Sequence, residues 1–254
     1  SLLVDDRGAV WVGHFQAGLD YSLYQNGLFR TYAYPPLFNS ANLSIRSFVN
    51  RGQEKVIGSR DGLFYINEAT GVVKSFVKPV LTSDLILTIS FYQGEYYIGT
   101  YGGGMMVLNP GTLSLKYFAQ GDTELFQKGH IFCVKPDAKG NLWIGTSQGL
   151  FCYNGQTKQI KHFTSANSQL PEGNVYEVSF DSTGKGWIAT ETGMCIYDPA
   201  SQSLRSNVFP EGFVHRDKVR TIYEDAGHNL YFIREKGSLF TSTLTMDRFQ
   251  NRNI

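Results

Sequence analysis

The sequence predicts an all-β fold, a β-propeller of four-stranded antiparallel blades, and three observations predict it. One motif recurs at a nearly constant interval along all 254 residues. Each copy holds several short apolar runs of strand length, separated by turns that carry Gly and Asp. Helical periodicity of any useful length is missing.

The recurrence is clearest in residues 137–153, DAKGNLWIGTSQGLFCY, which are echoed at 181–197 by DSTGKGWIATETGMCIY and near the amino terminus by DRGAVWVGHFQAGL. Weaker copies start at Gly52, Gln93 and Asp225. Aligning the residue after each aromatic–aliphatic pair selects Gly13, Gly58, Gly99, Gly145, Ala189 and Ile233, with successive gaps of 45, 41, 46, 44 and 44. Six repeats follow, at about 1–43, 44–84, 85–129, 130–173, 174–217 and 218–254, forming a single propeller domain or a fragment of one. The chain opens in the middle of this pattern, as a piece of a longer protein would.

Within a repeat, strand a carries apolar residues three apart: Ile45 and Phe48, Ile86 and Ile89, Ile131 and Val134, Val175 and Val178, Val219 and Ile222. A uniform, tight a–b turn is expected next, with Asp137 and Gly140, then Asp181 and Gly184. Asp bonds its own backbone there and Gly accepts positive φ. Strand b is the Trp-Ile-Gly-Thr run. Strand c starts at Gly18, Gly62, Gly104, Gly149, Gly193 and Gly237. Strand d is amphipathic and ends near an aromatic, as in Lys161-His162-Phe163.

A lone four-stranded sheet cannot bury either face, so the copies must stack. Strands covered on both sides should be apolar throughout rather than alternating, as Leu142-Trp143-Ile144 is. The small residue that follows lets neighbouring backbones approach. A β-solenoid is the rival architecture, but its repeats are usually shorter. Apolar residues make up 42% and charged residues 18% of the chain, a globular composition with a sizeable core. A net charge of +1 gives no electrostatic reason to expect nucleic acid or an anionic membrane as partner. No stretch nears the roughly 20 apolar residues of a membrane span, so direct membrane insertion of this segment is not expected. Cys133, Cys152 and Cys195 are odd in number, lack metal-ligand spacing and sit in apolar strands, so inert thiols are expected.

The wording of the copies is more specific than a generic blade. Leu170-Pro171, the Asp-x-x-Gly turn and Asn141-Leu142-Trp143-Ile144-Gly145-Thr146 closely resemble the two-component regulator propeller repeat, and Gly102-Gly103-Gly104 is similar to its Gly-rich hairpin. The resemblance covers nearly the full length. The second, third and sixth copies depart from it, with Glu54-Lys55-Val56 in place of Asn-Leu-Trp and Ile233 in place of Gly. The resemblance implies the periplasmic sensor region of a Bacteroides-type hybrid two-component system. Such receptors pair two seven-bladed propellers with an immunoglobulin-like domain, a membrane helix and cytoplasmic histidine-kinase modules. Many respond to oligosaccharides, and the intact receptor is expected to be a homodimer. Six repeats are one short of the usual ring, so part of a seven-bladed propeller is expected, with an open arc or a six-bladed ring as alternatives.

On such a frame the b–c loops vary in sequence while the turns opposite do not, which suits a ligand face. His14, Gln16, Arg60, Tyr101, Gln148, Glu191, Arg234 and Glu235 are the candidate ligand-binding residues. Aromatic rings stack on sugar faces, and Arg, Gln and Glu bond hydroxyls or acidic groups. Ordinary solvated hairpins are the bland alternative, leaving a scaffold for dimer contacts. No catalytic residue, metal site or cofactor is expected. Between the strand-a anchors only Glu177 is acidic, and one carboxylate does not hold a metal. An enzyme alternative, a lyase or hydrolase similar to virginiamycin lyase, would use His14 with Glu191 or Glu235 as acid and base.

Overall fold

The three-residue spacing of the strand-a anchors has a structural cause, visible in a computed structural model of the chain. The structure describes residues 44–119, 124–206, 218–225 and 227–233, and the backbone at 2–4, 10–13, 19–22, 29–31, 123, 234, 239–243 and 249–252. In β-strand Ile131–Pro136, Ile131 lies opposite Thr146 and Cys133 opposite Gly145, so Phe132 is an extra residue in the register, a β-bulge. Val134 then lies opposite Ile144. Side chains alternate along a strand, so residues three apart normally face opposite ways. The bulge inserts one residue and returns Ile131 and Val134 to one face. Both are fully buried.

The chain divides into two compact units, Ser1–His130 and Ile131–Ile254. In the first, the strands are β1 (Leu2–Val4), β2 (Val10–Gly13), β3 (Leu19–Ser22), β4 (Phe29–Thr31), β5 (Ile45–Arg51), β6 (Glu54–Ser59), β7 (Gly62–Asn67), β8 (Val72–Phe76), β9 (Ile86–Tyr92), β10 (Glu95–Thr100), β11 (Met105–Asn109) and β12 (Ser114–Tyr117). A short helix, α1 (Thr123–Lys128), follows. In the second unit they are β13 (Ile131–Pro136), β14 (Asn141–Thr146), β15 (Gly149–Asn154), β16 (Ile160–Phe163), β17 (Val175–Phe180), β18 (Gly186–Thr190), β19 (Gly193–Asp198), β20 (Ser203–Arg205), β21 (Val219–Glu224), β22 (Asn229–Arg234), β23 (Leu239–Thr243) and β24 (Phe249–Arg252). Consecutive strands pair antiparallel in fours: β1–β4, β5–β8, β9–β12, β13–β16, β17–β20 and β21–β24. This is the blade pattern the sequence predicts.

Helix α1 was not expected. Leu125 and Phe126 are buried, and the Phe126 carbonyl lies where a side chain on Gly104 would stand. The helix occupies the longest interval between copies, 46 residues from Gly99 to Gly145. The a–b turns also differ from the uniform set expected. Gly52-Gln53 and Gln93-Gly94 are two-residue connections, whereas the last three blades use a longer loop led by Asp137, Asp181 and Asp225.

In those later blades one carboxylate organises the turn. Asp137 accepts from the backbone of Lys139 and Asn141, and its second oxygen takes the Trp143 indole N–H at 2.9 Å. Asp181 does the same for Trp187 at 2.8 Å. In the last blade Tyr231 replaces Trp and donates its hydroxyl to Asp225 at 2.9 Å. The first unit solves the same problem differently. Glu54 accepts from Tyr65 of its own blade and Tyr96 of the next, at 2.8 and 2.9 Å. For the buried Trp143, Trp187, Tyr65 and Tyr96 these bonds satisfy a donor that would otherwise cost about 1–3 kcal/mol.

Successive blades pack through the small residue of strand b. A Cβ on Gly145 would lie 2.5 Å from Cys133 Sγ and 2.7 Å from the Val175 carbonyl of the following blade. On Gly58 it would lie 2.5 Å from Ile86, likewise in the following blade. The cores of the second unit join blades in the same way: Trp143, Val175 and Ile188 in one cluster, Trp187, Val219 and Phe232 in the next.

Candidate functional site

Where strand b ends in Ser or Thr, in β6, β10, β14 and β18, that hydroxyl closes the b–c connection. Ser59, Thr146 and Thr190 donate to the carbonyls of Gly62, Gly149 and Gly193 at 3.1, 2.8 and 2.9 Å. These glycines hold φ of +127°, +109° and +138°, a region that other residues rarely adopt. The two residues between them are thereby held at fixed places: Arg60-Asp61, Ser147-Gln148 and Glu191-Thr192. The Trp-Ile-Gly-Thr and Gly-Leu signatures are therefore a hairpin clamp as well as core.

The predicted site residues occupy this frame as follows. Arg60 is exposed at its hairpin, with its backbone N–H on the Ser44 carbonyl. Gln148 is exposed; its carbonyl lies 2.8 Å from His162 Nε2, beside an open cleft of about 410 Å³ lined by Lys161, Phe163, Asn167 and Gln169. Glu191 is half-buried and accepts from the Asn174 backbone N–H at 3.4 Å. His14, Gln16 and Glu235 lie outside the described residues, as do the catalytic alternatives that used His14 or Glu235; Arg234 is described only in its backbone. Among the described residues, no hydrogen bond or ring contact joins Arg60 to Tyr101, or Gln148 to Glu191. Within each unit the candidates sit on separate hairpins.

Tyr101 stands out. Its ring is 50% exposed, large for an aromatic, and stacks on His130 at 4.0 Å with 23° between the planes. The glycines around it explain the placement. Gly103 leaves no room for a side chain against Thr82 and Ser83, and Gly104 abuts the α1 backbone. Thr82 and Ser83 donate to the Gly103 and Tyr101 carbonyls at 2.6 and 2.8 Å, pinning the loop. The result is a presented aromatic plane with an imidazole beneath it. The sequence carried no sign of His130, because the contact bridges the b–c hairpin and the segment that follows α1.

A second group was missed altogether. In the second unit the bulge residues Phe132, Tyr176 and Arg220 lie on neighbouring first strands, β13, β17 and β21. Phe132 and Tyr176 meet edge to face at 5.2 Å. The Arg220 guanidinium lies 4.4 Å from the centre of the Tyr176 ring and the Lys218 ammonium 5.1 Å from it. Asn174 Nδ2 donates to the Tyr176 hydroxyl at 3.1 Å, which connects this row to Glu191. Glu177, the one acid singled out on these strands, pairs instead with Lys135 at 3.5 Å. Burial raises its carboxyl above the usual range, with Lys135 opposing.

Among the described residues, no three His, Cys, Asp or Glu side chains gather as metal ligands. The thiols of Cys133 and Cys195 are buried, and burial pushes all three thiols up, Cys152 to about 12. No helix among the described residues is long and apolar enough to cross a membrane.

Comparison with known proteins agrees with this architecture. Residues 126–148, which span β13, the Asp137 turn and β14, match the family described as a two-component regulator propeller. No curated protein matches the sequence. Among solved structures, the chain is similar to the extracellular domain of BT3049 from B. thetaiotaomicron, a protein described as a hybrid two-component system. The identity is 25% and the TM-score 0.70, covering 91% of this chain and 31% of that one. The extracellular domain of BT4673 from the same organism, described likewise, matches at 17% identity and a TM-score of 0.68 over 95% of this chain and 37% of that one. PorZ of Porphyromonas gingivalis, a surface component of the type-IX secretion system, matches at 16% and 0.69, over 94% and 37%. The chain thus spans about a third of these structures. The fold is a β-propeller of four-stranded blades, and the resemblance to two-component regulator propeller repeats is borne out.

Proposed function

We propose that this chain is part of the extracytoplasmic sensory propeller of a hybrid two-component receptor and takes part in recognising an oligosaccharide. The likeness to the BT3049 extracellular domain over 91% of the chain carries the receptor assignment. The presented Tyr101 plane supports the ligand class, since a sugar ring offers axial C–H bonds to an aromatic face and the clamped hairpins supply a pre-organised surface at little entropic cost. The receptor would be periplasmic, with this segment packed against a second propeller and an immunoglobulin-like domain, and would signal as a homodimer. A ligand shifts such an assembly only by binding one arrangement better than another. The kinase chemistry would belong to other parts of the parent protein.

Calorimetry of the intact extracytoplasmic region against a panel of neutral and charged oligosaccharides tests the proposal. Binding of at least one glycan is expected, with Tyr101→Ala weakening it by about tenfold, the equivalent of about 1.4 kcal/mol of lost stacking. If no glycan binds, the propeller is a scaffold and the proposal is overturned.

A further inference from the structure

Neighbouring blades are separate sheets, so their outermost strands do not pair, and the space between those strands is shaped by loops and side chains. Between β16 and β20 that space stays open. In the earlier blade β16 pairs with β15 from Leu150 to Tyr153. In the next, β20 pairs with β19 at Ile196, Tyr197 and Asp198 and ends at Arg205. The backbone N–H of Ser206 then donates to Gln169 Oε1 at 3.2 Å, across the junction. The cleft of about 410 Å³ lies here, wholly inside the second unit. Its size falls within the about 300–1,000 Å³ of small-ligand sites.

Several polar groups lining the cleft are held at one end and unspent at the other. Asn167 Oδ1 accepts from the Thr164 N–H at 2.8 Å, and Nδ2 donates to the His162 carbonyl at 3.0 Å, which leaves one amide N–H. Gln169 commits its Oε1 to Ser206 and keeps the N–H groups of Nε2. His162 donates through Nε2 to the Gln148 carbonyl, and its ring stacks on Phe151 at 3.9 Å, which fixes that wall. Lys161 lies 4.7 Å from the centre of the Phe163 ring. Among the described residues, Lys161 forms no ion pair and the Gln202 side chain makes no hydrogen bond. Holding an amide by one half orients the other half before any ligand arrives. The unspent groups are mostly N–H donors, and among the described residues no carboxylate lines the cleft. Phe163 and Leu204, the apolar members, are buried. The cleft therefore offers donors rather than the apolar pockets that hold peptide side chains. A ligand rich in oxygen acceptors and poor in apolar bulk matches it, and a saccharide is such a ligand.

We propose that the cleft between β16 and β20 is a saccharide subsite, in which Lys161, Asn167, Gln169 and Gln202 bond the hydroxyl and ring oxygens of a short stretch of glycan. This deepens the proposed function by naming where the second unit holds sugar, and it rests on that reading. Tyr101 belongs to the first unit, so each place has its own variants.

The test is calorimetry of the intact extracytoplasmic region with tetrasaccharides of glucose, mannose, galactose and galacturonic acid, together with the wider panel. For at least one glycan that binds, the double variant Lys161→Met with Gln202→Ala should lose about tenfold in affinity. Both residues are exposed, so the fold should survive, and an unchanged Tm checks that it does. Ser203→Trp, which puts an indole into the cleft, should weaken the same glycan at least as much; if that variant does not fold, the double variant decides alone. Binding of every glycan indifferent to the double variant overturns the inference while sugar recognition stands. Failure of every glycan to bind the parent overturns both.

Discussion

Replacing Gly145 by alanine puts one methyl group into the tightest blade junction of the second unit. The added carbon would stand 2.5 Å from Cys133 Sγ, 2.7 Å from the Val175 carbonyl oxygen and 3.0 Å from Val175 Cγ1. An ordinary van der Waals contact needs about 3.5–4.0 Å, so each neighbour must retreat by roughly 1 Å. Cys133 Sγ can turn about one bond, but Val175 is main chain of a strand, paired with Thr190, and its carbonyl cannot retreat alone. Because the worst obstacle is backbone, the cost should fall near the top of the about 1–3 kcal/mol typical of overpacking. At about 2–4 °C per kcal/mol for a chain of this size, a loss of about 3 kcal/mol lowers Tm by about 6–12 °C. Thermal and urea unfolding of the purified chain, followed by circular dichroism, measure it. The double variant Cys133→Ala with Gly145→Ala should be more stable than the two single effects added together, since removing the sulfur frees part of the space. A Tm within about 1 °C of the parent for Gly145→Ala would refute the reasoning, as would strictly additive variants.

Asp181→Ala should cost about 1–3 kcal/mol, because the Trp187 indole N–H is buried and loses its partner, whereas Asp181→Asn, which keeps an acceptor, should cost less; equal losses would mean that the carboxylate matters only through its charge. The native chain should leave Cys133 and Cys195 unmodified by a thiol reagent at pH 8, with half-buried Cys152 reacting first and all three reacting in urea; mass spectrometry of partly labelled protein reads the order. Stability should also depend on pH with opposite signs at two carboxyls. Asp225 is held down to about 2 by the Asn229 side chain and backbone, with Tyr231 and Gly227 assisting, so its contribution is present above about 4 and lost as the pH falls towards about 2. Glu177 is raised by burial, so its contribution is present while it is protonated and is lost as the pH rises from about 4.3 through its folded value. Glu177→Gln should therefore gain on the parent between pH 4 and 8 in urea midpoints; parallel profiles would sink that assignment.

Much of the fold was legible because its determinants are local. The Asp-x-x-Gly turn, the clamp from Thr146 to Gly149 and the apolar Leu142-Trp143-Ile144 run each act within a few residues, so a repeated motif reports a repeated blade. The three-residue spacing of Ile131 and Val134 was legible as a pattern but not as a bulge, since the slip is defined only against β14. Asp137 was recognised as a turn residue, while its bond to Trp143 Nε1 was not, because that bond depends on where strand b carries the indole. The candidate site was legible only as a set of hairpin positions. Arg60, Tyr101, Gln148 and Glu191 are where the repeat puts them, yet nothing in their spacing says which has a partner.

By itself the sequence determined the repeat, the four strands of each blade and the small residues at the blade junctions, because short-range sterics and periodic burial decide these. Only the tertiary structure decided that Tyr101 stacks on His130, that α1 fills the longest interval, and that Phe132, Tyr176 and Arg220 stand side by side. Those three residues lie 44 apart in the chain. They meet because each bulge aims its side chain away from its own sheet and neighbouring first strands pack together, a geometry that no stretch of local sequence contains.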